Sequence, residues 1–76
     1  MQYHITPQPP IPERLLILKE VEARVSLRQS YIYELMRRTP PEFPAPLKIS
    51  RKAVRWTESS ISGWIEDRIK ASQIQS

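Results

Sequence analysis

The chain has 76 residues, no cysteine, one histidine and a formal net charge of +4 at pH 7. That length suits one domain with a thin core, because a domain this small buries only about 60% of the surface its unfolded chain exposes. Disulfides, thiolate metal sites and a deep catalytic cleft are therefore not expected.

His4 stands alone in a proline-rich stretch and reads as a solvated side chain rather than a ligand or catalyst. The sequence offers no paired carboxylates with acid/base spacing, no Gly-rich phosphate loop and no Ser/His/Asp set, so neither an enzyme nor a small-molecule cofactor is expected. No apolar run approaches the roughly 20 residues that span a bilayer, and the start lacks the features of a signal peptide. These features predict a cytoplasmic, nucleoid-associated protein of bacterial type with no membrane partner.

Residues 1–13 contain Pro7, Pro9, Pro10 and Pro12. Proline removes amide donors and favours an extended backbone, which predicts a flexible arm. Leu15 to Leu18 is a short apolar run, either a small strand or the beginning of a helix. Leu18, Val21 and Val25 then recur at i, i+3 and i+7 and predict a helix of about two turns, roughly Lys19 to Arg24.

Ser26 breaks the pattern, and a second helix follows within "LRQSYIYELMRR", Leu27 to Arg38. Ile32, Leu35 and Met36 form its buried stripe at i, i+3 and i+4. Two short helices joined by about four residues make a helix-turn-helix unit. Thr39 precedes Pro40 and Pro41, which disfavours helix and sets a boundary. Phe43 is the core anchor of the loop that comes next.

In "LKISRKAVRW" apolar and polar residues alternate on both sides of a short polar turn, the pattern of a β-hairpin with one buried face. Leu47, Ile49, Val54 and Trp56 would fill that face. Lys48, Arg51, Lys52 and Arg55 would make the exposed side wholly basic. Thr57 then caps a third helix, with Trp56 and Ile61 placed as a hydrophobic staple. Ile61, Trp64, Ile65 and Ile69 form its apolar stripe. Gly63 inside this helix costs about 1 kcal/mol relative to Ala, which a close helix contact could explain.

The order helix, turn, helix, basic hairpin, helix predicts a winged helix-turn-helix: a mainly α fold with a small β-hairpin as wing. Residues 14–70 would form the domain, with the arm before it and a disordered tail, 71–76, after it.

Charge is concentrated in the middle of the chain. Residues 24–55 hold eight basic residues against Glu34 and Glu42, a net of +6, whereas the segments on either side each sum to −1. A clustered patch of this kind points to a polyanion such as double-stranded DNA. The major groove admits one helix, and the second helix of a helix-turn-helix supplies it. Arg28, Gln29, Ser30 and Tyr31 at its start would face base edges, Gln suiting adenine and Arg guanine. Tyr33, Arg37 and Arg38 would reach phosphates, with Lys48, Arg51, Lys52 and Arg55 of the wing. The bland alternatives are that the tyrosines edge the core, that Arg37 and Arg38 serve the helix dipole, and that Glu34 pairs with Arg38 at i+4.

The segments "LLILKEVEARVSLRQSYIYELMRR", "FPAPLKISRKAVRW" and "SSISGWIEDRI" together resemble the AlpA family of prophage regulatory proteins, small relatives of the MerR and excisionase DNA-binding domains. The resemblance covers about Arg14 to Lys70. It implies a winged helix-turn-helix and sequence-specific DNA binding near an integrase gene or attachment site. Its S-x-I-Y segment falls on Ser30, Ile32 and Tyr33, which carries Ser30 and Tyr33 over as DNA contacts and Ile32 as core. The chain departs from the family pattern at Ser26, where Gly is common, at Arg28, where a Ser cap is common, and at Glu34, near which a basic residue is usual.

Transcriptional regulation is the first reading. An excisionase-type architectural role, with cooperative self-association on bent DNA, is the close alternative. A module that binds an acidic protein is the alternative of another class.

Overall fold

The computed structural model describes residues 13–74. Strand β1 (Leu15–Leu16) leads into helix α1 (Leu18–Val25), and helix α2 (Gln29–Arg37) follows after a three-residue turn. Strands β2 (Leu47–Ser50) and β3 (Ala53–Thr57) form a hairpin that runs directly into helix α3 (Glu58–Ile74). Helix-turn-helix, wing and C-terminal helix are all present, and the fold is a winged helix-turn-helix. The apolar run Leu15 to Leu18 serves as both strand and helix start, because Leu16 pairs with Trp56 while Leu18 begins α1.

The sheet has three strands in the order β1-β3-β2, both pairings antiparallel. Leu16, Val21, Ile32, Leu35, Phe43, Trp56 and Ile61 form the buried core. Met36 packs against it half-buried, so the predicted stripe of α2 faces inward. The Trp56 indole N–H donates to the Pro44 carbonyl at 2.9 Å, which satisfies the polar atom of a fully buried ring and fixes the loop after α2.

Each helix start has its own cap. Glu20 reaches back to accept the Ile17 amide at 2.9 Å, the acidic half of a capping box. Thr57 Oγ1 accepts the Ser60 amide at 3.2 Å, and Trp56 and Ile61 are both buried beside it, as the staple predicts. Glu13 adds a second tie here: its carboxylate accepts the Ser59 amide at 3.1 Å and the Ser59 hydroxyl at 2.8 Å. The Glu58 amide donates to the Arg14 carbonyl at 2.8 Å, so the start of the described chain is bound to the first turn of α3.

The hairpin departs from expectation. Only Trp56 of the four apolar residues is buried; Leu47, Ile49 and Val54 are 49%, 51% and 37% exposed. The register explains this. Leu47 lies opposite Arg55 and Lys48 opposite Val54, and a bulge at Ile49 puts Ser50 opposite Ala53. Residues paired across a ladder share a face, so Lys48 and Arg55 stand on opposite faces and the wing has no single basic side. Arg51 and Lys52 form the turn at its tip.

Helix α3 also departs from expectation at two points. It continues to Ile74, past the expected boundary at Lys70, because Ala71, Ser72 and Gln73 include no helix breaker. Its stripe leaves the core at Ile69, which is 53% exposed. Among the described residues no close contact explains Gly63, since none lies within 4 Å of where its Cβ would stand. The expected arm, apart from Glu13, and the end of the expected tail lie outside the described residues.

Candidate nucleic-acid interface

The turn between α1 and α2 is built from Ser26, Leu27 and Arg28. Ser26 takes the left-handed conformation (φ 59°, ψ 39°), and its amide donates to the Glu22 carbonyl at 2.8 Å. This reverses the chain at the end of α1. Arg28 is extended and precedes α2 without a side-chain cap. Glu22 supplies that function instead: its Oε2 accepts the Gln29 amide at 2.7 Å. A carboxylate at this place also opposes the positive end of the α2 dipole. Sequence reasoning missed Glu22; the signal was Arg28 itself, a residue that cannot cap the helix it begins.

Residues three, four and seven apart share a helical face. On α2 that sorts the polar residues into two rows. Ser30, Tyr33 and Arg37 fall at i, i+3 and i+7, with Gln29 beside Tyr33 at i+4. Tyr31, Glu34 and Arg38 form the other row.

The second row is closed on itself. Arg38 bridges to Glu34 at 3.3 Å and to Glu42 at 2.8 Å, and its guanidinium lies 5.9 Å from the Tyr31 ring centroid. The Glu42 hydrogen bond, followed by that of Glu34, raises the Arg38 pKa above its ordinary value. Arg38 and Tyr31 face the Trp64 and Arg68 side of α3. The predicted set Arg28, Gln29, Ser30, Tyr31, Tyr33, Arg37 and Arg38 is therefore not one surface.

The first row is open. Gln29, Ser30 and Arg37 are exposed and Tyr33 is half-buried. Among the described residues Arg37 makes no ion pair, nor do Arg28, Lys48, Arg51, Lys52 and Arg55. Of the eight cations in the basic middle of the chain, Arg24, paired with Glu58 at 2.7 Å, and Arg38 are neutralised internally, and the other six have no ion pair among the described residues. Arg55 donates one hydrogen bond, to the Val54 carbonyl at 2.8 Å, and keeps its charge. Cations without an ion-pair partner among the described residues thus stand at the start of α2, at its end, and on both faces and the tip of the wing. Among the described residues no cluster of His, Asp and Glu could hold a metal ion, and no helix is long and apolar enough to cross a membrane.

Comparison with known proteins bears on this geometry. Residues 14–69 match the family described as "Prophage CP4-57 regulatory protein (AlpA)". An uncharacterized protein, ORF88, of Enterobacteria phage P4 is 38% identical over 69 residues, which covers 86% of this chain and 76% of the relative. No solved structure matches.

Proposed function

The chain belongs to the AlpA family of prophage regulatory proteins, and we propose that it is a sequence-specific, double-stranded DNA-binding transcriptional regulator acting near the integrase or excision genes of a prophage or mobile element. The observation that carries this reading is the open row of α2 beside the closed one. Gln29, Ser30, Tyr33 and Arg37 keep their polar groups available on one helical face, while every ionic group of the neighbouring row is engaged within the protein. Gln29 and Ser30, in the first turn, take the position from which a helix lying in the major groove reads base edges. Tyr33 and Arg37 fit phosphate contacts, which hold register without specifying sequence. Arg51 and Lys52 at the wing tip add charge to the flanking backbone.

A second reading is an architectural, excisionase-type role. Leu47, Ile49 and Val54 stand exposed on the wing next to its cations, which suits contact with a second copy bound on adjacent DNA. Bending a site by about 40–90° costs on the order of 1–6 kcal/mol, and cooperative contact between protomers would offset it.

Fluorescence anisotropy on labelled duplexes tiling the integrase promoter and attachment site, over a range of salt, tests both. Saturation of one promoter tile in excess competitor supports the regulator. Steep, concentration-cooperative binding on the attachment site supports the architectural role. Equal, salt-labile binding to every tile removes sequence specificity. No binding at low salt leaves a protein-interaction module with an acidic partner.

A further inference from the structure

A groove runs along α3 beside the 41–44 loop. Ser59, Gly63, Asp67 and Ala71 form one wall as a continuous i, i+4 row, and Pro41 to Pro44 with Trp64 form the other. Its aromatic floor is rigid. Phe43 and Trp64 pack with centroids 4.9 Å apart, and the Trp64 indole N–H donates to the Glu42 carbonyl at 2.9 Å. Gly63 lies in this wall, and no described residue occupies the space where a side chain would be. A glycine here weakens the helix, and among the described residues no contact accounts for it.

We propose that the groove is the seat of this chain's own proline-rich segment, residues 7–12 ("PQPPIP"). Three observations select that occupant. The chain enters the described fold at Glu13, which is tied by two hydrogen bonds to Ser59, the first residue of the groove wall. A segment seated in the groove would therefore start at its mouth. The lengths agree: Ser59 to Ala71 spans about 18 Å at 1.5 Å per helical residue, and six residues of polyproline II span about 19 Å at 3.1 Å each. The chemistry also fits, because residues 1–12 hold no Asp, Glu, Lys or Arg, and such an arm has little to gain on a DNA backbone. Proline-rich segments dock into aromatic-lined grooves. Gly63 then leaves room for a proline ring. The docked arm braces the 41–44 loop, whose Glu42 holds Arg38 at the end of α2. This inference is independent of DNA binding.

The absence of cysteine allows a clean test on the full chain. Thr6→Cys carries a single nitroxide just beyond the docked segment, and amide intensities are read by NMR against the reduced label. The expected result is the strongest loss at Asp67 to Ala71 and at the Trp64 indole, well above that at Ile17 to Glu20 near the tether. Equal loss around the tether point, or none in the groove, would overturn the proposal. Gly63→Leu fills the groove and should restore the Trp64 and Ala71 signals; persistent loss there would also overturn it. If Gly63→Leu does not fold, Pro9→Gly/Pro10→Gly in the labelled chain gives the same reading without touching the domain. In a mixture of isotope-labelled and spin-labelled chains the groove should stay unaffected; broadening there would mean that a second copy's arm is bound.

Discussion

Glu22, near the end of α1, caps α2 by accepting the Gln29 amide at 2.7 Å. This couples α1 to the first turn of α2, the helix we propose as the sequence reader. Side-chain caps are worth about 0.5–2 kcal/mol. Glu22→Ala should lower stability by about 1 kcal/mol in urea denaturation and weaken specific binding more than non-specific binding. Glu22→Gln keeps an acceptor and should lose less on both counts. An unchanged urea midpoint for Glu22→Ala would show that Gln29 needs no partner.

Ser26 sits at φ 59°, where a side chain costs roughly 1–2 kcal/mol and glycine does not. Ser26→Gly should therefore stabilise the protein by about 1 kcal/mol after the glycine's extra unfolded-state entropy. In a domain of this size that is a rise of about 4–8 °C in Tm. Ser26→Val, β-branched at the same backbone, should lower Tm. Thermal unfolding followed by circular dichroism decides it, and a fall in Tm for Ser26→Gly would contradict the turn geometry.

These two positions show where the sequence stops informing. The spacing of Ile32, Leu35 and Met36 gave the buried face of α2, because a helical period is local. Thr57 marked the start of α3 for the same reason, and Phe43 was the natural anchor in a proline-rich loop. The hairpin register was out of reach. A bulge at Ile49 carries no glycine to announce it, and a one-residue shift moves every later side chain to the other face. The cap on α2 comes from Glu22, seven residues before Gln29 and across a turn. The Glu34–Arg38 pair is legible, because four residues on one helix bring them together. Glu42, the nearer of the two carboxylates at 2.8 Å, lies on a loop whose path the sequence does not give.

Trp56 is fully buried, and its indole N–H is bonded to Pro44. Trp-to-Ala changes in cores cost about 3–5 kcal/mol, against a total stability of about 4–11 kcal/mol at roughly 0.05–0.15 kcal/mol per residue. Trp56→Ala should therefore lose about 3–5 kcal/mol of that total in urea denaturation. Trp56→Phe should fold with a lowered midpoint, since it retains most of the apolar area but leaves the Pro44 carbonyl without its donor. A Trp56→Ala midpoint close to that of the native chain, followed by far-ultraviolet circular dichroism, would refute the central place given to this ring.

Arg37 and Arg38 are adjacent yet should behave differently. Arg37 is exposed at the last position of α2 with no ion pair among the described residues, whereas Arg38 is held by Glu34 and Glu42. Arg37→Ala should weaken binding to all duplexes and reduce the slope of log affinity against log salt by about one. Arg38→Ala should leave that slope unchanged, because a guanidinium already neutralised by two carboxylates releases little counterion from DNA. Its effect should appear as a loosened 41–44 loop, read from faster amide exchange at Glu42. The reverse assignment of slopes would mean that Arg38 leaves its partners on binding DNA.

The last prediction separates reading from holding. Gln29 and Ser30 lie in the first turn of α2, while Arg51 and Lys52 form the wing tip. A base-edge contact distinguishes sequences by about 1–3 kcal/mol; a phosphate contact does not distinguish them. Gln29→Ala should therefore compress the ratio of specific to non-specific affinity by roughly 5- to 150-fold with little change in salt slope. Arg51→Ala and Lys52→Ala should lower both affinities together, each reducing the slope by about one. The measurement is competition anisotropy with specific and scrambled duplexes at several salt concentrations. If Gln29→Ala and Arg51→Ala changed the ratio equally, α2 would not be the sequence reader, and specificity would have to come from DNA shape read by the wing.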